Sequence, residues 1–541
     1  MDSRHKREAI QLRPLIGEIN VCSDAEHSSQ EALTISWRTD SGDGPKRLRL
    51  SGFMGDLVAT VIAQTALVGL SLVLMRLLAT LVTEEDFGVF MVLRRVVAVM
   101  VPVTSLNLGV GLARFLAYQV ESRRAFISAA LWVVVCLTCV VALLMLVGKS
   151  LLSSALFGSG GFEPFVVITA ITLLGTNLLG LVSDVYRGRV EMKWANLAQV
   201  MSAVLPLVAI VPAWLLSGGV STQFLESQLL LSAGGMLLVA WGLYRFGPAW
   251  TAPMGPAVLR SEKAWTLFAY SIVRVPSGFL LGLVFGLPVF AAASTGNLDL
   301  AARLGILATL IRLMETWVYP FNLIVLPRFA SLQAEQSPEA VRAYAELVLD
   351  FVVRALPLIG TLTFGLAGAL IHLAFGAKYI DVSGPAAWML LASTAYVCFV
   401  LIRGILDGLY GFPFVNVVAV AGLVTSGACA LLFGHESLPQ LVMALASSMA
   451  AMGATSIFLL VRTTRASVSA EGVISSIFIA FAGLLLAGFL DRFLLPPGLG
   501  ALWHFGLQSL IRGVILLVVF SFHWRKRSDW GKAIFDRMWR T

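Results

Sequence analysis

From about residue 55 to residue 523 the chain is a nearly unbroken series of apolar runs, each about 20 residues long, separated by short polar turns. A helix of roughly 20 apolar residues crosses the ~30 Å hydrocarbon core of a bilayer, so the pattern predicts spanning helices. They fall at about 55–82, 87–112, 126–148, 164–187, 196–216, 226–245, 265–292, 299–326, 347–375, 384–406, 412–433, 438–461, 472–490 and 500–523. The predicted fold is an all-α polytopic membrane protein of about 14 transmembrane helices, although a few polar segments leave 12 or 13 open.

Both flanks of this region are different. Residues 1–50 are polar, hold eight basic and eight acidic side chains, and lack the apolar core of a signal peptide. They read as a disordered cytoplasmic tail. Residues 524–541 place Trp530, Ile534, Phe535, Met538 and Trp539 on one helical face and Lys532, Arg537 and Arg540 opposite. That is the pattern of an interfacial helix lying on anionic lipids.

Composition agrees with the periodicity. Only 13% of residues are charged and 58% are hydrophobic, too little charge to cover a water-exposed surface, which excludes a soluble enzyme. A net charge of +8 in so apolar a chain does not point to nucleic acid. The distribution of the cations says more. With the spans above, 28 Lys and Arg fall on one side and 3 on the other, where the acidic turn Glu84-Glu85-Asp86 also lies. Basic residues collect in cytoplasmic loops, so both termini are expected in the cytoplasm, with Glu84–Asp86 on the far side.

The chain also repeats itself. Arg114-Phe115, Gln119 and Glu121 recur as Arg328-Phe329, Gln333 and Glu335, 214 residues later, and Arg187-Gly188 recurs as Arg403-Gly404 after 216. The offset spans an even number of helices, so the two copies share one orientation, as in parallel-repeat transporters. The expected domains are 52–260 and 261–465 as two six-helix bundles, 466–523 as helices 13 and 14, and the two tails.

The run from Arg76 through Glu84-Glu85-Asp86-Phe87-Gly88 to Phe90, followed by Leu108-Gly109-Val110-Gly111-Leu112-Ala113-Arg114-Phe115, resembles the opening of polysaccharide-export flippases. These form the lipopolysaccharide and exopolysaccharide branch of the multidrug/oligosaccharidyl-lipid/polysaccharide exporter superfamily. The resemblance covers about 52–523. It implies two pseudo-symmetric bundles around a central cavity and transfer of undecaprenyl-pyrophosphate-linked oligosaccharides across a bacterial inner membrane. The implied partners are the lipid-linked oligosaccharide, membrane lipids and other polysaccharide-synthesis proteins. A cation-coupled multidrug exporter has the same architecture, and a membrane glycan polymerase or glycosyltransferase is the alternative among enzymes.

Other chemistry finds little support in the sequence. Gly148-Lys149-Ser150 ends like a phosphate-binding loop, but position 143 is Leu, so no such loop exists. The six His and five Cys show no metal-ligand spacing. The outer connections are short, which leaves little room for the external active site of a polymerase. No catalytic residue and no metal is expected.

What remains is charge inside the spans. A cation at the bilayer centre costs about 2.5–3.5 kcal/mol on insertion scales, and so tends to face water or a partner. Arg76, Arg303 and Arg354 lie close enough to span ends to reach the headgroups. Arg94 and Arg95 are about 11 Å inward, Arg312 about 20 Å, and Arg274 and Arg512 are also deep. Arg312, Arg95, Arg274, Arg94 and Arg76 are the candidate cavity cations, because a guanidinium fork matches phosphate oxygens bidentately. Among buried acids, Glu315, Asp184 and Asp56 are the carboxylates that a proton or sodium gradient would use. Glu315 is one turn from Arg312, a spacing that also suits an in-helix ion pair. Asp184 and Asp407 sit beside Arg187 and Arg403, where structural pairing is expected.

Overall fold

A computed structural model describes residues 50–118, 121–247, 254–334, 338–409 and 413–467, together with 474 and 478. Among them there is no strand. The helices are α1 (Leu50–Leu81), α2 (Glu84–Thr104), α3 (Leu108–Tyr118), α4 (Arg123–Val147), α5 (Lys149–Phe157), α6 (Glu163–Gly188), α7 (Met192–Val208) and α8 (Ile210–Ser217). They continue as α9 (Thr222–Phe246), α10 (Glu262–Ile272), α11 (Val275–Ser294), α12 (Leu298–Ala334), α13 (Pro338–Phe375), α14 (Ser383–Leu409), α15 (Phe414–Phe433) and α16 (Leu438–Thr464). Each of the first twelve predicted spans is matched by a helix or a broken helix. Span 13 apart from residues 474 and 478, span 14, residues 1–49 and 524–541, and the Asp56 side chain lie outside the described residues. Of the unit formed by residues 1–60, the described part is the opening of α1; the compact unit 61–541 holds the packing below.

Eleven helices among the described residues are long and apolar enough to cross a membrane. The long helix α12 is not in that set; it carries Asp299, Arg303, Arg312 and Glu315. Local chemistry sets the helix ends. Thr83 caps α2 by accepting from the Asp86 amide at 3.1 Å, and Glu84, Glu85 and Asp86 lie in the first turn, where carboxylates complement the helix dipole. Ser437 and Gln440 form a reciprocal capping box at the start of α16.

Three spans are broken rather than continuous. The second splits into α2 and α3 at Leu106 and Asn107, both with left-handed backbone (φ 48° and 50°). Asn tolerates that region better than most residues, and the Asn107 side chain donates to the Arg274 carbonyl at 2.7 Å. Arg274 is itself the break between α10 and α11, so the second and seventh spans are joined at their interruptions. The fifth span splits into α7 and α8 just after Pro206, whose missing N–H weakens the helix.

Helix α6 packs with α4, α7 and α9, whereas α14 packs with α12, α13 and α16. Helices α2 and α11 connect the two groups: α2 lies against α6, α11 and α12, and α11 also meets α15. The approach of α2 to α12 depends on Gly88, where a Cβ would stand 2.0 Å from the Leu298 carbonyl oxygen. Helix starts recur at the offset of the sequence repeat. Glu84 and Leu298 are 214 residues apart, Arg123 and Pro338 215, and Thr222 and Leu438 216.

Candidate functional site

The α1–α2 turn is where the two helix groups are fastened together. Arg76 on α1 donates to the main-chain oxygen of His372, near the end of α13, at 2.8 Å. The Gly376 turn that follows has φ 96° and lies against the same guanidinium. Lys378 donates to the Val82 carbonyl at 3.3 Å, and the fully buried Tyr379 ring packs on Phe87 at 5.7 Å. Arg303 on α12 pairs with Asp299 at 3.1 Å and Glu84 at 3.8 Å, and with Asp381 as well.

Moving along α2 from that end, Phe87 through Leu93 are all buried; along α12, Leu304 through Ile311 are too. The packing loosens on both helices just beyond these stretches, and there the arginines sit. Arg94 is half-buried and its Nη1 donates only to the Met75 sulfur, a weak acceptor, at 3.5 Å. Arg95 is 5% exposed, with an Nε that has no partner. Arg312 is exposed on α12 and close enough to act electrostatically on both. At 1.5 Å per residue Arg95 is about 16 Å and Arg312 about 21 Å from the starts of their helices, close to the middle of a ~30 Å core. Three guanidinium groups thus converge at mid-span without a carboxylate ion pair among the described residues.

Glu315 does not form an ion pair with Arg312 there. It is half-buried and interacts with the phenol of Tyr396 on α14, on which Arg312 and Arg403 also act. The Tyr396 ring is held edge-on by Phe285 of α11 at 5.0 Å. Sequence reasoning missed Tyr396; a phenol in an otherwise apolar span was its only signal.

The other sequence-predicted residues are placed elsewhere. Arg274 folds back on its own helix, donating to the Tyr270 carbonyl at 2.8 Å with its guanidinium 4.1 Å from that ring's centre. Arg354 pairs with Asp350 at 2.8 Å. Asp184 pairs with Arg187 at 3.6 Å and abuts Gly109 of α3; Asp407 pairs with Arg403 at 3.4 Å. The Asp184 and Asp407 pairs are the ones the sequence predicted, whereas Arg354 was expected to reach the headgroups. Arg512 lies outside the described residues. No group of His, Cys, Asp and Glu among the described residues is arranged to hold a metal ion.

The fold has known counterparts. It is similar to a structure of the lipid II flippase MurJ in an inward closed conformation, with a TM-score of 0.60 and 13% identity over 87% of this chain and 99% of that one. An inward-facing MATE family multidrug resistance transporter of the MOP superfamily gives a TM-score of 0.58 and 13% identity over 75% and 94%. A variant of the Vibrio cholerae MATE transporter VcmN gives 0.57 and 14% over 77% and 98%. No curated protein matches the sequence. Residues 77–384, more than half of the chain, match the polysaccharide biosynthesis protein family. The chain is therefore a multi-pass membrane protein that shares the fold of MurJ and the MATE proteins and belongs to the polysaccharide biosynthesis protein family.

Proposed function

We propose that this protein is a flippase that moves undecaprenyl-pyrophosphate-linked oligosaccharide repeat units across a bacterial inner membrane, for polysaccharide synthesis, by alternating access of two helix bundles. The observation that carries this reading is the meeting of Arg94, Arg95 and Arg312 at mid-span, where packing on α2 and α12 gives way. Three cations repel one another in a low-dielectric site, and a pyrophosphate would relieve that repulsion while filling the guanidinium forks. The same charges disfavour a cationic drug as cargo, which argues against the multidrug reading. The flippase function of the similar MurJ supports a lipid-linked cargo here.

In this reading the fastened α1–α2 end is the outer one, both termini are cytoplasmic, and the cavity opens toward the inner leaflet. Carboxylates such as Glu315 and Asp184 are the proposed route by which a proton or sodium gradient drives the cycle. The test is loss of the gene product in its own host. Lipid-linked oligosaccharide should accumulate on the cytoplasmic face while polysaccharide export stops. Undiminished export, with no accumulated intermediate, would overturn the assignment.

A further inference from the structure

The fastening at the α1–α2 end contains an uneven set of charges. Three carboxylates, Glu84 at the start of α2, Asp299 in the first turn of α12 and Asp381 on the turn 377–382, gather around one guanidinium, Arg303. Lys378 on that same turn is the other cation acting on Glu84. Asp86, two residues further on, is bonded by the hydroxyls of Thr83 at 2.8 Å and Thr222 at 3.3 Å. Glu85 is exposed, and the Arg76 guanidinium is engaged with His372. Fully ionised, the three acids and two bases leave one negative charge unbalanced.

The geometry shows where that charge is concentrated. The carboxyls of Glu84 and Asp299 are within hydrogen-bonding reach of each other, although each can only accept when ionised. Asp299 Oδ1 is buried and has no donor. The hydroxyl of Tyr379, on a residue with no exposed surface, is also buried without a partner, and Glu84, Asp299 and Asp381 all act on it. Two carboxylates in contact repel, whereas one proton between them makes a charge-assisted hydrogen bond.

We propose that Glu84 and Asp299 form a proton-binding site that latches the two helix groups together at this end. One proton, taken from the adjacent solution, is held between a Glu84 oxygen and Asp299 Oδ1. It balances the cluster, supplies the missing donor, and closes α2 onto α12. Loss of that proton leaves two charges face to face across the seam and frees the end to open. The inference rests on alternating access, but not on the identity of the cargo. The sign follows directly: the closed state is favoured at low pH and weakened as pH rises.

The test uses the full chain in nanodiscs, with its native cysteines replaced by serine and spin labels at Leu81→Cys and Ile380→Cys. Both positions are exposed and lie on opposite sides of the seam. Pulsed electron resonance should give one short distance near about pH 5, and a longer population should grow several-fold by about pH 8, because a carboxyl held against a second one keeps its proton to higher pH than a free one. Glu84→Gln, whose amide N–H donates permanently to Asp299, should stay closed at both values. Asp299→Asn should do the same from the other side, so the test does not hang on one variant folding. Equal distances at both pH values in the parent, or a full pH response in both variants, would overturn the latch. Neither result bears on the arginine site, which is judged by export.

Discussion

Arg312 on α12 lies within electrostatic range of Arg95 on α2, the helix whose start at Glu84 recurs 214 residues later as the start of α12 at Leu298. Two neighbouring helices thus place like charges beside one another at mid-span, with Arg94 next to them. Such an arrangement costs free energy in the empty protein and is most simply maintained by an anion that binds there. The fastened end differs in kind. Its cations Arg76, Arg303 and Lys378 all have partners, and each has one across the seam: His372, Glu84 and Val82.

Glu84–Asp86 should face the periplasm while the N-terminus stays inside. Cysteine at Glu85 should react with an impermeant maleimide added to intact cells, and cysteine at Ser41 should not. Labelling of Ser41 alone would invert the orientation.

Gly88 should be intolerant of side chains. Its Cβ position is 2.0 Å from the Leu298 carbonyl, so Gly88→Val must push α2 off α12. Overpacking of this kind costs about 1–3 kcal/mol, and a melting temperature several degrees lower in detergent is the expected readout. An unchanged melting temperature would mean that α2 and α12 do not touch as described.

The halves 52–260 and 261–465 should superpose about a near-twofold axis along the membrane normal, with α2 falling on α12. The recurring helix starts at Glu84 and Leu298, Arg123 and Pro338, and Thr222 and Ser437-capped Leu438 motivate this. An experimental structure in which the best superposition inverts one half would refute it.

Much of this was legible in the sequence, and the limits have physical causes. Hydropathy located the spans because each must match the bilayer, but it began the second at residue 87, whereas Thr83 caps α2 and the three acids form its first turn. The pairs Asp184–Arg187 and Arg403–Asp407 form as helical spacing dictates, whereas Arg354, expected to reach the headgroups, pairs with Asp350 one turn before it. The break at Leu106–Asn107 was not visible, since its left-handed backbone is held by Arg274, far away in sequence. Arg303 looked like a cation near a span end. Its role depends on Glu84 and Asp381, which the fold brings from other segments. Likewise, local spacing offered Glu315 to Arg312, yet tertiary packing gives it to Tyr396.

The central claim, that the mid-span arginines receive an anionic head group, is tested most directly at Arg312. Arg312→Ala and Arg312→Lys should be introduced into a flippase-deficient strain, and polysaccharide export measured beside the amount of protein in the membrane. The Ala variant should insert normally and export almost nothing. The Lys variant should recover part of the export, because an ammonium keeps the charge but loses the bidentate fork. Full export by Arg312→Ala at normal abundance would contradict the account.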